Sequence, residues 1–440
     1  MKKLVHILPV FVALLVSANL NAQEKWSLER CIGYARENNL QVKQQLIMVQ
    51  QAENELLSAK MEYIPSLNAS MNHNMSWGRS VNLNDLEIIE NQRSQSTSLN
   101  MSASVPLFEG MRKQNNVKSS IKQLEIAGTN VEKLKDEISL SVAQGYLQVL
   151  LANEIHKSAV ESYKSTQEQV ERCRILVEAG SQAYSSLLEV QAQLANEKLQ
   201  VVEAENSVRS NLLALAQLLD ITEVENFNIE TPQVEHLTIS FTESDVDQIY
   251  YNALSLPQIK GAELSLEQSR LKYKIQKGAA LPTISFNAGY GTYYSDNQKT
   301  AFLEQFNNNR NPSMGFGLSI PIFNNWKNNT SIRNARLGIK NSELDLKLSQ
   351  QNLYKDIQQA YNNARSSFEK MNAAGQNMES AKESFKYTQE KFNAGMLGGT
   401  DYTVAKANLF KAESEYLQSK YQYIFNLKVL DYYNNTPLTL

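Results

Sequence analysis

The side chains able to do acid–base, nucleophilic or metal chemistry are few in this 440-residue chain: four His and two Cys beside 46 Asp+Glu. A zinc hydrolase needs two imidazoles one helical turn apart, as in H-E-x-x-H. Here His6, His73, His156 and His236 each stand alone. Gly289-Tyr290-Gly291 lacks the third glycine of a dinucleotide-binding fingerprint, and no phosphate-cradling P-loop occurs. Asn68-Ala69-Ser70 is a formal glycosylation acceptor, but it falls in an alternating segment that reads as a strand. Cys31 and Cys173 belong to different predicted helices, and a bridge would need their Cα atoms within about 7 Å. Both are read as free, structural thiols. The carboxylates are scattered along helix faces, where a solvated surface is their ordinary role. No enzyme activity, metal or cofactor is expected. With 43 Lys+Arg the formal net charge is −3, and no basic patch exists to neutralise phosphates, which argues against nucleic acid as a partner.

The information lies in the architecture instead. Lys2 and Lys3 precede an apolar run from Leu4 to Val16, and Leu20-Asn21-Ala22 forms a small-residue exit. This predicts a signal peptide over residues 1–22, cleaved after Ala22, because the run is shorter than the roughly 20 residues a spanning helix needs. No Cys follows that would carry a lipid anchor. The remainder is hydrophilic on average, which excludes a polytopic helical membrane protein. Gly (17) and Pro (9) together make about 6% of the chain, half the usual share of about 12%. So few breakers imply long uninterrupted helices.

The mature chain reads as one unit written twice. Gln41-Val42-Lys43 recurs as Gln258-Ile259-Lys260 and Ile64-Pro65 as Leu281-Pro282, each 217 residues on. Val105-Pro106-Leu107-Phe108 recurs as Ile320-Pro321-Ile322-Phe323, and Glu178-Ala179-Gly180 as Asn393-Ala394-Gly395, each 215 residues on. Ordered matches at a nearly constant offset mark an internal duplication. The predicted repeats are 23–231 and 232–440, meeting near Thr231-Pro232. Strands are predicted over about 66–77, 95–107, 283–294 and 312–322, and long helices over about 111–178, 185–219, 325–392 and 400–432.

Each predicted strand alternates with period two, which gives it one apolar and one wet face. Leu67, Ala69, Met71, His73, Met75 and Trp77 interleave with Ser66, Asn68, Ser70, Asn72, Asn74 and Ser76. Leu99, Met101, Ala103 and Val105 interleave with Ser98, Asn100, Ser102 and Ser104. In the second half Ile284, Phe286, Ala288 and Tyr290 alternate with Ser and Gly or Asn, as do Met314, Phe316, Leu318 and Ile320. A soluble half-buried sheet usually puts Lys, Glu or Arg outside. Here the wet face is small and uncharged, the pattern of a transmembrane barrel around water. Lipid demands a closed barrel, and four strands cannot close one, so copies must pool strands: two give eight, three give twelve, and the count alone does not choose. Trp77, Tyr293, Tyr294, Phe108 and Phe323 fall at strand ends, as an aromatic girdle would, and Gly78–Arg93 and Ser295–Arg310 read as long outer loops.

The helices carry apolar stripes at spacing seven: Ile339, Leu346, Leu353 and Ala360, with Ile357, Ala364, Met371, Met378, Phe385 and Phe392 as companions. Such heptads predict coiled-coil packing. At about 1.5 Å per residue each proline-free stretch makes a rod of about 100 Å. After Gly180 and Gly395 the chain turns back, with Leu187, Leu194 and Val201, then Tyr402, Leu409 and Tyr416, on the returning helices.

The duplicated helix–strand–strand–helix order, the Pro65/Pro282 entries, the Pro106/Pro321 exits and the segment Phe392-Asn393-Ala394-Gly395 resemble the TolC family of bacterial outer-membrane efflux and secretion ducts. The resemblance covers essentially all of the mature chain. It implies a mainly α fold with transmembrane β: four strands per subunit of a shared 12-stranded barrel, continued by a long α-helical coiled-coil barrel across the periplasm. It also implies a homotrimer in outer-membrane lipid, working with a periplasmic adaptor (membrane fusion) protein and an inner-membrane pump of RND or ABC type. Counted from Gly395, Asp401 falls on the first of the family's aspartate-ring positions at the pore constriction; the second is Val404, and the family's basic residue two after the glycine is Leu397. Glu189, at the first-half position equivalent to Val404, is the other candidate carboxylate. Gly180, Ser181, Gly395 and Met396 are the expected adaptor-docking turns. Leu67, Met71, Leu99, Met101, Ile284, Phe286, Phe316 and Leu318 are the expected lipid-facing strand residues. The expected function is an outer-membrane duct exporting small molecules. The alternatives are the outer-membrane component of type I protein secretion, which shares the architecture, and a periplasmic coiled-coil scaffold or adaptor without a barrel.

Overall fold

Period-two and heptad segments separate cleanly into strands and helices in the computed structural model, which describes residues 25–81, 87–222, 224, 227–232 and 244–440. The expected signal peptide, with His6, and His236 lie outside the described residues. The order is α1 (Leu28–Asn38), α2 (Leu40–Met61), β1 (Ser66–Val81), β2 (Ile88–Glu109), α3 (Arg112–Glu178), α4 (Tyr184–Leu218), α5 (Ser244–Ala253), α6 (Pro257–Gly278), β3 (Thr283–Ser295), α7 (Phe302–Asn308), β4 (Asn311–Ser319), α8 (Lys327–Asn393) and α9 (Gly399–Tyr433). Corresponding helices match in length: α2 and α6 have 22 residues, α3 and α8 have 67, and α4 and α9 have 35. Among the described residues no helix is long and apolar enough to cross a membrane.

The chain divides into two compact units that cut across the sequence repeats: 46–129 with 259–349, and 1–45 with 130–258 and 350–440. The first of these holds the sheet, a four-stranded antiparallel array in the order β1-β2-β3-β4. The second is a helical core of buried apolar residues, including Cys31, Tyr146, Leu150, Leu215, Ile357 and Tyr423. Both cysteines are free and buried, and burial pushes the Cys31 thiol up to about 12.

Three boundaries differ from the sequence expectation. β1 runs on to Val81 and β2 begins at Ile88, so most of the expected Gly78–Arg93 loop is a paired ribbon with a bulge between Gly78 and Ser80. Arg79, Ser80, Glu90 and Arg93 are mixed there with Val81 and the adjacent Ile88-Ile89, without the alternation that marks a membrane strand, so the period-two signal ended before the pairing did. β4 stops at Ser319 instead of reaching residue 322, because Pro321 has no N–H to extend a ladder. The expected Ser295–Arg310 loop contains α7, a helix too short to show periodicity.

Candidate functional site: a two-faced sheet and paired glycine turns

Register turns the alternation of single strands into continuous faces. On one face lie Leu67, Ala103, Ala288 and Met314 in one row, and Ala69, Met101, Tyr290 and Pro312 in the next. Val105, Phe286 and Phe316 form a further row, then Phe108, Ile284 and Leu318, and beyond Leu67 the face continues through Met71 and Leu99. Phe286 and Phe316 meet at 5.3 Å between ring centroids. Met314 and Phe316 are 83% and 76% exposed, so this chain leaves the face largely uncovered.

The opposite face carries Asn68, Ser102, Gly289 and Ser313 in one row, and Ser66, Ser104, Asn287 and Gly315 in the next. Its side chains bond one another: Ser104 Oγ donates to Asn287 Oδ1 at 2.8 Å, and Asn287 Nδ2 to Ser285 Oγ at 3.1 Å. No charge stands in these rows. All eight sequence-expected apolar residues fall on the apolar face. Tyr293, expected with Tyr294 in one girdle, pairs with Ser98 on the polar face, whereas Tyr294 pairs with Thr97 on the apolar one.

In the other unit the two glycine turns are built alike. Gly180 and Gly395 have φ of 72° and 73°, the left-handed conformation that ends helices and that glycine adopts without steric cost. Ser181 N donates to Leu176 O at 2.8 Å and Gly180 N to Val177 O at 2.9 Å. Met396 N donates to Lys391 O at 2.9 Å and Gly395 N to Phe392 O at 3.0 Å. Both are Schellman caps. The turns touch, since a Cβ on Gly395 would lie 3.3 Å from Ser181 O, and Gln182 Nε2 donates to Phe392 O at 2.7 Å. Behind them Val170, Cys173, Leu187, Val190, Phe392 and Tyr402 form one buried cluster.

The structure brings both candidate carboxylates to the start of α9. Asp401 stands exposed in its first turn. Glu189 reaches the same place from α4: a Cβ on Gly399 would lie 2.6 Å from Glu189 Oε2 and 3.0 Å from Ser186 O. Gly398 caps α9 without a side-chain acceptor, so Glu189 supplies negative charge at the positive helix end.

Sequence reasoning missed the group one turn further on. Lys406, 4% exposed, donates from Nζ to Ser162 O at 2.9 Å and to Thr166 Oγ1. It faces Glu197 Oε1 at 3.6 Å, and Gln193 Nε2 donates to the same oxygen at 2.9 Å. Burial lowers the Lys406 pKa, against the pull of Glu197. The available signal was position: Lys406 follows Tyr402 by four on the stripe that faces the neighbouring helices.

A sheet with one apolar and one uncharged wet face, joined to paired helical hairpins 67 and 35 residues long, defines a subunit of a membrane channel. The model of the family described as outer membrane efflux protein matches residues 31–220 and 250–431, and the chain belongs to that family. Its members are outer-membrane channels with a periplasmic helical tube, ducts of tripartite efflux systems and not enzymes. The outer membrane protein TolC of Vibrio cholerae serotype O1 is 22% identical over 332 residues, 73% of this chain and 70% of that protein. The fold matches CusC, a protein described in terms of transmembrane channel formation, with TM-score 0.76 and 18% identity over 93% of this chain and 92% of that one. It also matches the Campylobacter jejuni CmeC outer membrane channel, with TM-score 0.75 and 17% identity over 92% and 85% of the two chains.

Proposed function

We propose that this chain pools its four strands with those of two other copies into a twelve-stranded barrel, and that small molecules leave the cell through its polar lumen. The observation that carries the reading is the sheet itself, whose uncharged Ser/Asn/Gly face runs unbroken from the first half of the sequence into the second. Lipid then covers Leu67, Met71, Leu99, Met101, Ile284, Phe286, Phe316 and Leu318, since burying apolar area is the dominant stabilising term and among the described residues Leu67, Met71, Met101, Ile284, Phe316 and Leu318 stand exposed. Leu337, Leu344 and Leu348 on α8, exposed although apolar, suit helix packing against neighbouring copies.

The surface beside Gly180-Ser181 and Gly395-Met396 is the proposed docking site for a periplasmic adaptor hairpin, and an RND or ABC pump supplies the energy. Two identical caps give an adaptor six near-equivalent sites per trimer. Three copies of Asp401, facing one narrow wet path, focus negative potential and favour cations; Glu189 adds carboxylate charge beside them. Deleting the gene should raise retention of fluorescent dyes in the cell, with export restored by the wild-type chain. Normal dye efflux, together with loss of a secreted protein from the medium, would replace this reading by protein secretion.

A further inference from the structure

The loop between β3 and β4 does not stand free of the sheet. Thr292 shares a face with Ile284, Phe286, Ala288 and Tyr290 by parity, and its Oγ1 donates to Phe306 O at 2.6 Å. Tyr294, next on that face, meets Phe302 at 4.9 Å between centroids, and Phe302 stacks on Phe306 at 4.6 Å. Gln305, 1% exposed, ties the loop together: its Oε1 accepts from Ser295 N at 2.9 Å and its Nε2 donates to Thr300 O at 2.7 Å. Asn309 Nδ2 donates to Tyr293 O at 2.8 Å. The segment is therefore folded back onto the apolar side of the sheet, not over the polar side.

It lies where that face stops being apolar. From Ile284 to Thr292 the strand advances about 26 Å at roughly 3.3 Å per residue, which at a tilt near 40° is about 20 Å along the membrane normal, most of the apolar band of an outer-membrane barrel, about 25 Å tall. Thr97 and Thr292, the polar residues that end the band, are buried and satisfied, Thr97 by His73 Nδ1 at 2.9 Å. α7 presents Phe302 and Leu303, 44% and 79% exposed, with Glu304 and Asn308 on its other side by helical spacing. Lys299 and Arg310 flank it.

We infer that α7 is an interfacial anchor: Phe302 and Leu303 enter the bilayer at the outer boundary of the hydrocarbon, with the polar side of the helix toward water. An apolar pair continuous with a lipid-covered face, at the depth where the core ends and between two cationic residues, fits an anionic lipid interface. The inference rests on the proposal that the Phe286/Phe316 face contacts lipid.

The test is nitroxide accessibility in the full chain, reconstituted in phosphatidylethanolamine–phosphatidylglycerol vesicles. The native cysteines are buried and take no label in the folded protein. Spin labels at Leu303→Cys, Phe316→Cys and Asn308→Cys are compared for collision with oxygen, which partitions into lipid, and with a nickel chelate confined to water. Oxygen collisions should exceed nickel collisions severalfold at 303 and 316, and the order should reverse at 308. Nickel excess at 303 with oxygen excess at 316 overturns the anchor and leaves the lipid face standing. Low collision rates with both at 303 overturn it in favour of a neighbouring copy covering the helix. Nickel excess at 303 and 316 together removes the lipid face, and the anchor with it.

Discussion

Gly180 and Gly395 show how single residues fix the ends of the long helices. Their φ of 72° and 73° would cost an L side chain about 1–2 kcal/mol, so Gly180→Ala and Gly395→Ala should each destabilise by about that amount in denaturant melts. Gly399→Ala should cost about 1–3 kcal/mol by overpacking, since its Cβ would meet the Ser186 carbonyl at 3.0 Å and not only the flexible Glu189 carboxylate. Asp401 is exposed in the first turn of α9, so Asp401→Ala should cost no more than about 1 kcal/mol of stability. In planar bilayers it should reduce the cation preference of single channels and weaken block by divalent cations. Unchanged selectivity and block would leave Asp401 only a helix-end role.

At the scale of elements, the buried Lys406–Glu197 pair ties α9 to α4, and its bonds to Ser162 and Thr166 tie both to α3. Lys406→Met should destabilise by about 3–5 kcal/mol because it strands a buried carboxylate, and adding Glu197→Leu should recover most of that. Chemical denaturation of the single and double variants checks both. Burial depresses the Lys406 pKa below its usual 10.5. The unfolded chain therefore binds this proton more tightly, and the lysine's contribution to stability falls as pH drops from 10.5 through the depressed value. As pH is raised across that window, the stability difference between wild type and the double variant should shift in favour of wild type; a flat difference would contradict it. The elements themselves were largely legible. Period two placed four strands, and the turn glycines with their returning stripes placed the hairpins. The β1–β2 ribbon past Trp77, the early end of β4 and α7 were not legible, because a ribbon without alternation, a proline and a seven-residue helix leave no hydrophobic period. The Lys406–Glu197 pair was hidden for another reason: charged residues on a helix read as solvated until the neighbours are known.

In the assembled molecule, the two faces of the sheet decide which substitutions a membrane rejects. Phe286→Arg should abolish assembly in the outer membrane, since an arginine facing hydrocarbon costs up to about 2–4 kcal/mol per copy. Ser313→Asp, on the wet face one residue before Met314, should assemble normally. Membrane fractionation and heat-stable oligomer on gels read both, and equal tolerance would contradict the assigned faces. The sequence carried this level furthest, because alternation states which face is wet. What it did not carry is copy number, since strands with open edges specify that edges must be paired and not how many copies close the ring.

The central claim is that the free edges of β1 and β4 meet between copies. Pairs of cysteines, one at Asn68 or Ser70 on β1 and one at Ser313 or Gly315 on β4, should oxidise in intact outer membranes to a covalent ladder that ends at three chains. Monomers alone, or a ladder running past three, would contradict it.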